Sequence, residues 1–202
     1  MREIIYIMGK SASGKDNIYT RLVNDSELNL KPVVIYTTRP MRSNETQGVE
    51  YHFVDREMMG KLRDSGKVIE FRSYNTVVGE WNYFTVDDGQ IDLASGQQYI
   101  VIGTLESYMG FVKYFGKEHL MPIYIEVEDG VRLKRAIERE SRQNKPMYDE
   151  VCRRFLADAA DFSEENLEKA EISEKFSNDG ELENCVEAIR GYILAEKCGK
   201  ND

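Results

Sequence analysis

The segment from Gly9 to Asp16, G-K-S-A-S-G-K-D, has the residue types and spacing of a phosphate-binding loop. Seven of its eight positions fit G-x-x-x-x-G-K-[ST], a pattern whose glycines let consecutive backbone N–H groups point at a phosphate. An apolar run, E-I-I-Y-I-M, precedes the loop and a helical pattern follows it, which is the context that such a loop requires. The predicted nucleotide-binding residues are Gly9, Ser11, Ala12, Ser13, Gly14, Lys15 and Asp16.

Asp16 is the position that departs from this pattern, because a Ser or Thr hydroxyl would hold Mg²⁺ there. A carboxylate also ligates Mg²⁺ well, although it repels phosphates when no metal lies between them. An aspartate is also favourable near a helix N-terminus. Two interpretations therefore stay open: Asp16 is a metal ligand, or it only caps the helix.

Composition narrows the class of protein. The chain of 202 residues has a net charge of −9, and general nucleic-acid binding needs a basic face that such a chain lacks. Its apolar runs are all shorter than the roughly 20 residues of a membrane helix. The three cysteines and two histidines have no spacing typical of a disulfide framework or a zinc site. We expect a cytoplasmic protein that binds neither nucleic acid nor membranes.

Basic residues concentrate between Val131 and Arg154, where eight of them stand against four acids. A basic island in an acidic chain indicates a small polyanionic ligand. A solvated helix face would give the same cluster, so the residues alone leave both interpretations open.

Short apolar runs alternate with amphipathic patterns along most of the chain. The runs predict buried strands at 3–8, 31–37, 99–103 and 123–127. The amphipathic patterns predict helices at 16–23, 55–64, 129–141, 148–169 and 181–197. This alternation predicts an α/β fold with a parallel sheet covered on both faces. The segment 37–88 breaks the rhythm and predicts a small mixed subdomain inserted into the core.

A second motif follows the second predicted strand, where residues 36–54 read Y-T-T-R-P-M-R-S-N-E-T-Q-G-V-E-Y-H-F-V. Arg39 and Arg42, with the Tyr51 hydroxyl nearby, can hold a phosphate through forked hydrogen bonds. The segment resembles the motif T-T-R-x-x-R-x-x-E-x-x-G-x-x-Y-x-F of the guanylate kinase family, without a gap over 17 positions.

The resemblance covers about residues 3–197 and implies a fold and an activity. The fold is a P-loop NTPase three-layer core with a central parallel sheet, an inserted small mixed nucleotide-binding subdomain and a helical lid. In one domain, the implied core is about 1–34, 89–134 and 160–202, the acceptor subdomain about 35–88 and the lid about 135–159. The implied activity moves the γ-phosphate of ATP to GMP, with Mg²⁺ as cofactor, in a monomer or homodimer.

The resemblance also implies roles for single residues. The implied catalytic residues are Lys15, Arg39, Arg135, Arg139 and Arg154, of which the last three are lid arginines. The implied acceptor-binding residues are Arg39, Arg42, Glu45, Tyr51 and Glu70, and the Glu70 carboxylate would read the guanine N1 and N2 donors. A weaker match, F-S-N-D at 176–179, implies a strand end near the adenine of ATP.

Besides Asp16, three family features are altered. The family's phosphate-binding serine falls at Ile35 or Tyr36, its Y-Y-G-[ST] turn reads V-V-G-E at 77–80, and its D-[IV]-D reads G-T-L-E at 103–106. These changes remove hydroxyls and acids that the family uses for phosphate, guanine and metal.

The altered turn removes a phosphate-binding tyrosine at Val78 and a guanine-contacting hydroxyl at Glu80. Tyr74 or Tyr83 would replace that tyrosine only if the loop folds differently. Two alternative functions therefore stay open: a kinase for another nucleoside monophosphate, or a non-catalytic guanylate-kinase-like module that binds nucleotide or protein.

Overall fold

Strands and helices alternate along most of the chain in the computed structural model, which describes residues 2–76 and 79–198. In chain order the elements are β1 (Ile4–Gly9), α1 (Lys15–Val23), β2 (Lys31–Pro32), β3 (Tyr36–Thr37), β4 (His52–Phe53), α2 (Arg56–Asp64), β5 (Val68–Thr76), β6 (Gly79–Val86), β7 (Tyr99–Gly103), α3 (Leu105–Phe115), β8 (Leu120–Glu126), α4 (Asp129–Ser141), α5 (Tyr148–Asp161), α6 (Glu164–Lys169), β9 (Lys175–Ser177) and α7 (Leu182–Cys198). None of the helices in these described ranges is long and apolar enough to cross a bilayer.

Five parallel strands form the central sheet, in the order β2-β7-β1-β8-β9. β1 lies in the middle, and all six of its residues are buried. Successive side chains of a strand point to opposite faces. Ile4 and Tyr6 accordingly pack in one apolar cluster with side chains of α3, whereas Ile5 and Ile7 pack in the other with side chains of α1 and α7. The predicted α/β class with helices on both faces of a parallel sheet is confirmed.

A second, mixed sheet has the order β4-β3-β6-β5 and lies within the segment predicted as an insertion; we call it the small sheet. β5 and β6 form its long antiparallel hairpin, with Arg72 opposite Tyr83. Helix α3 packs against β5 so closely that a Cβ on Gly110 would lie 2.5 Å from the Glu70 Cβ. Val77 and Val78, at the hairpin tip, lie outside the described residues.

The single strand predicted at 31–37 is wrong, because its residues belong to two sheets. Lys31 and Pro32 pair with β7, whereas Tyr36 and Thr37 pair with β4 and β6. Between them, the Gln90 side chain takes both polar groups of Val34: its Oε1 accepts from the Val34 N–H at 2.8 Å and its Nε2 donates to the carbonyl at 3.1 Å. A side-chain amide thus replaces the strand pairing, and the chain crosses to the small sheet.

The single helix predicted at 148–169 is also wrong. It ends at Asp161, and α6 begins after Ser163, whose hydroxyl accepts from the Asn166 N–H. Serine is a preferred N-cap, so the break has a local cause that the apolar periodicity hides. Helix α3, which the apolar pattern did not predict, is fixed by a reciprocal capping pair of Thr104 and Ser107.

Candidate active site

The phosphate loop, residues 9–16, connects β1 to α1 as predicted, and close contacts explain its two glycines. A Cβ on Gly9 would lie 2.8 Å from the Ile125 carbonyl oxygen. Gly14 has φ 85°, and a Cβ there would lie 2.4 Å from the Asn178 Nδ2. Asn178, at the end of β9, donates from that nitrogen to the Ser13 carbonyl at 2.8 Å. The F-S-N-D segment therefore holds the backbone of the phosphate loop at Ser13.

Several backbone N–H groups of the phosphate loop have no protein acceptor. The Ser13 N–H donates to the Lys10 carbonyl at 3.1 Å, and the Ser11 N–H donates to the Asp158 carboxylate at 2.7 Å. In contrast, among residues 11–16, all of which are described, the N–H groups without such a bond are those of Ala12, Gly14, Lys15 and Asp16. Such N–H groups at a helix N-terminus, beside a lysine, form an anion-binding site.

Asp16 is the second residue of α1, whose N-cap is Gly14 and which lacks a side-chain cap hydrogen bond. The interpretation of Asp16 as a helix cap is therefore wrong. Its side chain is 81% exposed, and one oxygen lies 3.7 Å from the Lys15 Nζ. The described residues contain no cluster of three or more His, Cys, Asp or Glu side chains suited to a metal. Magnesium is commonly bound through one or two carboxylates plus substrate phosphates, so this single carboxylate fits that ion.

Arg39 follows β3 and is nearly buried, with a side chain 4% exposed. Its Nη1 and Nη2 donate to the two oxygens of Glu45 at 3.0 and 2.7 Å, and its guanidinium lies over the rings of Tyr51 and Phe53. Burial lowers the pKa of Arg39, but the Glu45 hydrogen bonds outweigh it and raise that pKa above its ordinary value. The Arg39 hydrogen bonds hold the pKa of Glu45 below its usual range. Glu45 thus positions Arg39. The Glu45 carboxylate also accepts a hydrogen bond from the Arg42 backbone N–H at 2.7 Å, and Arg42 is exposed.

Tyr83 joins this group. Its ring lies edge-on to those of Tyr51 and Tyr74, at centroid distances of 5.8 and 5.7 Å. Burial raises the pKa of the Tyr51 phenol, Tyr83 and Asp16 raise it further, and Arg39 lowers it. Asp16 on the phosphate loop is therefore near enough to Tyr51, the residue before β4, to raise its pKa electrostatically.

Glu70 is buried in an ion pair with Arg72, two residues along β5 on the same face. The Arg72 Nε donates to one Glu70 oxygen at 2.8 Å, and the Thr85 hydroxyl donates to the other at 2.8 Å. Burial lowers the pKa of Arg72, but the charge and hydrogen bonds of Glu70, together with Tyr6 and Tyr74, raise that pKa above its ordinary value. Tyr36, one of the two positions at which the family's serine would fall, donates to Asp88 at 2.7 Å.

The predicted lid arginines, Arg135 and Arg139 on α4 and Arg154 on α5, are not in contact with the phosphate loop. None of the three, all within the described ranges, has a hydrogen bond or ion pair with residues 9–16. Arg154 instead donates to Glu150 at 2.6 Å, and hydrogen bonds from Arg153 and Arg154 lower the pKa of Glu150 to about 2. The structure thus keeps these arginines together on one helical hairpin, with Arg139 and Arg154 exposed.

The guanylate kinase family model matches residues 1–164, which is most of the chain. The chain belongs to the guanylate kinase family. Guanylate kinase of Mycoplasma mobile is 24% identical over 197 residues, covering 96% of this chain and 93% of that protein. Guanylate kinase of Porphyromonas gingivalis is 28% identical over 196 residues, covering 96% of this chain and 97% of that protein.

The crystal structure of guanylate kinase from Anaplasma phagocytophilum matches 96% of this chain and 86% of its own, with a TM-score of 0.62 and 22% identity. This similarity confirms the fold. The sequence motifs that resembled guanylate kinases thus belong to a chain that has that fold over nearly its whole length.

The guanylate kinase resemblance did not identify two buried arginines near the site. Arg72 neutralises Glu70, and Arg132, on α4, is 1% exposed and reaches the phosphate loop. Arg132 stood within the basic island, but its burial was not predictable from that cluster. One feature of the sequence does indicate a partner for Arg132: Asp129 lies three residues earlier on the same helix, a separation at which side chains form intrahelical ion pairs.

Proposed function

We propose that this guanylate kinase family member transfers the γ-phosphoryl group of ATP to GMP, giving ADP and GDP. The observation that carries the proposal is a pair of anion sites that influence one another electrostatically, through Asp16 and Tyr51. One site consists of the free N–H groups of the phosphate loop and Lys15, and the other of Arg39, Tyr51 and Tyr83. Phosphoryl transfer needs a donor and an acceptor phosphate held in line, which two such neighbouring sites would achieve.

On the donor side, the N–H groups from Ala12 to Asp16 and the Lys15 ammonium bind the β- and γ-phosphates of ATP. Asp16, with those phosphates, would hold Mg²⁺, which when bound neutralises charge on the transferring group. The carboxylate lies in the first turn of α1, next to Lys15. At this position the Asp16 carboxylate replaces the Ser or Thr hydroxyl of the usual loop.

On the acceptor side, Arg39 and Arg42 bind the GMP phosphate, with the Tyr51 hydroxyl as a third donor. Glu45 contributes to substrate binding only by positioning Arg39, because both oxygens of its carboxylate already accept hydrogen bonds from that residue. Tyr83 stands beside Arg39 and Tyr51, and it takes the place of the tyrosine that the family carries at Val78.

Arg135, Arg139 and Arg154 act from the helical hairpin α4–α5, which closes over the phosphates and brings their charges to the transferring group. Catalysis of this kind depends on positioning and electrostatic stabilisation more than on covalent chemistry. Such a role explains why a chain of net charge −9 concentrates cations in this segment. A non-catalytic module has no evident use for them, and relatives named guanylate kinase cover nearly the whole chain.

The base specificity rests on Glu70. A carboxylate accepts from the adjacent N1 and N2 donors of guanine, and adenine presents no such pair of donors. Arg72 and Thr85 already hold the Glu70 oxygens: Oε1 accepts from the Thr85 hydroxyl and, at 3.4 Å, from the Arg72 Nη2, whereas Oε2 accepts from the Arg72 Nε alone and keeps a lone pair for the base. The same buried pair motivates the second candidate, a kinase for another nucleoside monophosphate, because it limits how Glu70 can turn.

ADP formation with Mg²⁺-ATP and each of GMP, dGMP, AMP, CMP and UMP tests the proposal. We expect turnover with GMP, and turnover with dGMP to a lesser or equal degree. Turnover with AMP, CMP or UMP in preference to GMP would support the second candidate. Absence of turnover with all five, from folded protein that binds ATP, would refute a kinase and support a binding module.

A further inference from the structure

Arg132 is among the largest fully buried side chains of the described residues, at 1% exposure. Its Nε and Nη2 donate to Asp129 at 3.2 and 3.0 Å, and its Nη1 donates to Asp158 at 3.2 Å. The Phe155 ring lies against the guanidinium, 4.1 Å from ring centroid to Cζ. A buried arginine needs such partners, because taking an unpaired charge out of water costs several kcal/mol.

Arg132 and Asp158 also hold the phosphate loop, through both polar groups of one residue. The Ser11 N–H donates to the Asp158 Oδ2 at 2.7 Å, and the Ser11 carbonyl accepts from the Arg132 Nη1 at 3.3 Å. The next residue, Ala12, has φ 62°, which is uncommon for a residue with a Cβ and is held in place by its surroundings.

The contact with the Ser11 carbonyl fixes the direction of a phosphate-binding group. Every described peptide bond is trans, so the Ser11 carbonyl and the Ala12 N–H lie in one plane and point in opposite directions. Arg132 therefore orients the Ala12 N–H, one of the four loop N–H groups without a protein acceptor. The Ser11 N–H, in contrast, is occupied by its hydrogen bond to Asp158 and does not bind the nucleotide.

The same two residues lie at the base of the helical hairpin that carries the lid arginines. Arg132 is in the first turn of α4 and Asp158 in the last turn of α5, whereas the connection 142–147 lies at the far end. A movement of this hairpin relative to the phosphate loop would change the contacts with Ser11. The loop and the hairpin are thus mechanically linked through one residue, Ser11.

We propose that Arg132 and Asp158 are positioning residues that hold the phosphate loop in its ATP-binding conformation and couple it to the lid. The proposal rests on the proposed function. It assigns the pair to the donor nucleotide alone, because its contacts reach the phosphate loop and not Arg39 or Tyr51 on the acceptor side. Asp158 shares the Arg132 charge with Asp129, so removing either Arg132 or Asp158 takes away one charge-assisted contact beside the loop.

The test compares Arg132→Lys, Arg132→Met and Asp158→Asn with the control Lys134→Met, which removes an exposed cation from the same helix. ADP affinity is measured by calorimetry, KM for ATP and for GMP by steady-state kinetics, and folding by thermal unfolding. We expect Arg132→Met and Asp158→Asn to raise the Kd for ADP and the KM for ATP about tenfold, the effect of losing one charge-assisted hydrogen bond. KM for GMP should stay within twofold, Arg132→Lys should restore part of the loss, and Lys134→Met should match the parent.

A structural role alone would raise both KM values together and lower the melting temperature without a preference for ATP, and that result would overturn the proposal. Unchanged ADP affinity in folded Asp158→Asn would also overturn it. If Arg132→Met does not fold, Arg132→Lys and Asp158→Asn decide the question. Because ADP binding is measured without turnover, a failed kinase assay of the parent protein contradicts the proposed function and leaves the test of this pair intact.

Discussion

Asp16 puts a carboxylate in the first turn of α1, where the phosphate loops of this pattern have a hydroxyl. If it holds Mg²⁺, Asp16→Ala should lower kcat with Mg²⁺-ATP and GMP at least about a hundredfold, the size of losing one electrostatic contact at the transition state. Asp16→Asn, which keeps the shape of the side chain and removes its charge, should lower kcat similarly, whereas Asp16→Ser supplies the usual hydroxyl ligand and should keep more activity than Asp16→Ala. Titration of Mg²⁺ in steady-state assays measures all three variants. Parent-like activity of Asp16→Ala would show that the carboxylate is not a metal ligand.

Glu45 is the second residue with a distinct expected effect. Its carboxylate holds the Arg39 guanidinium by two hydrogen bonds, so Glu45→Gln should leave Arg39 misplaced. We expect KM for GMP to rise about tenfold, as for one lost charge-assisted hydrogen bond, with KM for ATP unchanged. Glu57→Gln removes an exposed carboxylate from α2 and is the matched control. An equal rise in both KM values would contradict a role confined to the acceptor phosphate.

At the scale of elements, β9 supports the phosphate loop through Asn178, which follows the strand. The Asn178 side chain donates to the Ser13 carbonyl and lies beside Gly14. Gly14→Ala would place a Cβ 2.4 Å from the Asn178 Nδ2 at a φ of 85°. We expect it to lower the free energy of unfolding by about 1–3 kcal/mol through strain and overpacking, and to weaken ATP binding.

Gly60 provides the matched control for that change, because it lies inside α2 where a side chain has room. A Cβ added there would meet no atom of the described residues within 4 Å, its own helix backbone aside. Gly60→Ala should raise the free energy of unfolding by about 0.5–1 kcal/mol, since alanine is the better helix former. Urea denaturation of both variants measures the contrast. Equal effects of the two substitutions would contradict the specific contact between Gly14 and Asn178.

Elements with a strong local signal could be predicted from the sequence, and those set by distant partners could not. β1, the phosphate loop and α1 follow one another as apolar run, glycine-rich turn and helical pattern, and the structure confirms them. The run at 31–37 reads as one strand, yet Gln90, distant in sequence, decides that it divides between two sheets. Ser163 similarly ends a helix whose apolar periodicity continues past it.

The candidate site shows the same limit. Lys15, Arg39 and Tyr51 were predictable because they lie in contiguous motifs that resemble guanylate kinases. The burial of Arg72 and Arg132 was not, although Glu70 and Asp129 lie close to them in the sequence, because that burial depends on packing of β5 against α3 and of α4 against the phosphate loop and α5. A charged residue in a sequence gives no sign of burial until its partners are known.

At the scale of the whole molecule, five carboxyl groups among the described residues have a pKa held below its ordinary value. They are Asp25, Glu45, Asp129, Glu150 and Asp179. Arginine hydrogen bonds are the main cause at Glu45 and Glu150, and the Glu128 N–H is the main cause at Asp179. At Asp25 and Asp129 burial raises the pKa, but hydrogen bonds outweigh it.

These lowered values predict loss of stability in acid. A carboxyl whose folded pKa is lower than its unfolded pKa stabilises the fold fully above the unfolded value, which is 3.8 for Asp and 4.5 for Glu. That contribution is lost as the pH falls through the folded value, which is about 2 for Glu150. The urea midpoint should therefore fall steadily from pH 5 towards pH 2, and less steeply in Glu150→Gln. A midpoint independent of pH over that range would contradict these pairings.

Transfer of label from γ-³²P-ATP to GMP, in the presence of Mg²⁺, tests the central claim most directly. It follows the phosphoryl group itself and separates transfer from simple ATP hydrolysis, and Lys15→Met, which removes the phosphate-loop charge, gives the background. The two anion sites predict label in GDP from the parent protein and little from Lys15→Met. Label only in inorganic phosphate, or no release of label from folded protein that binds ATP, would contradict guanylate kinase activity.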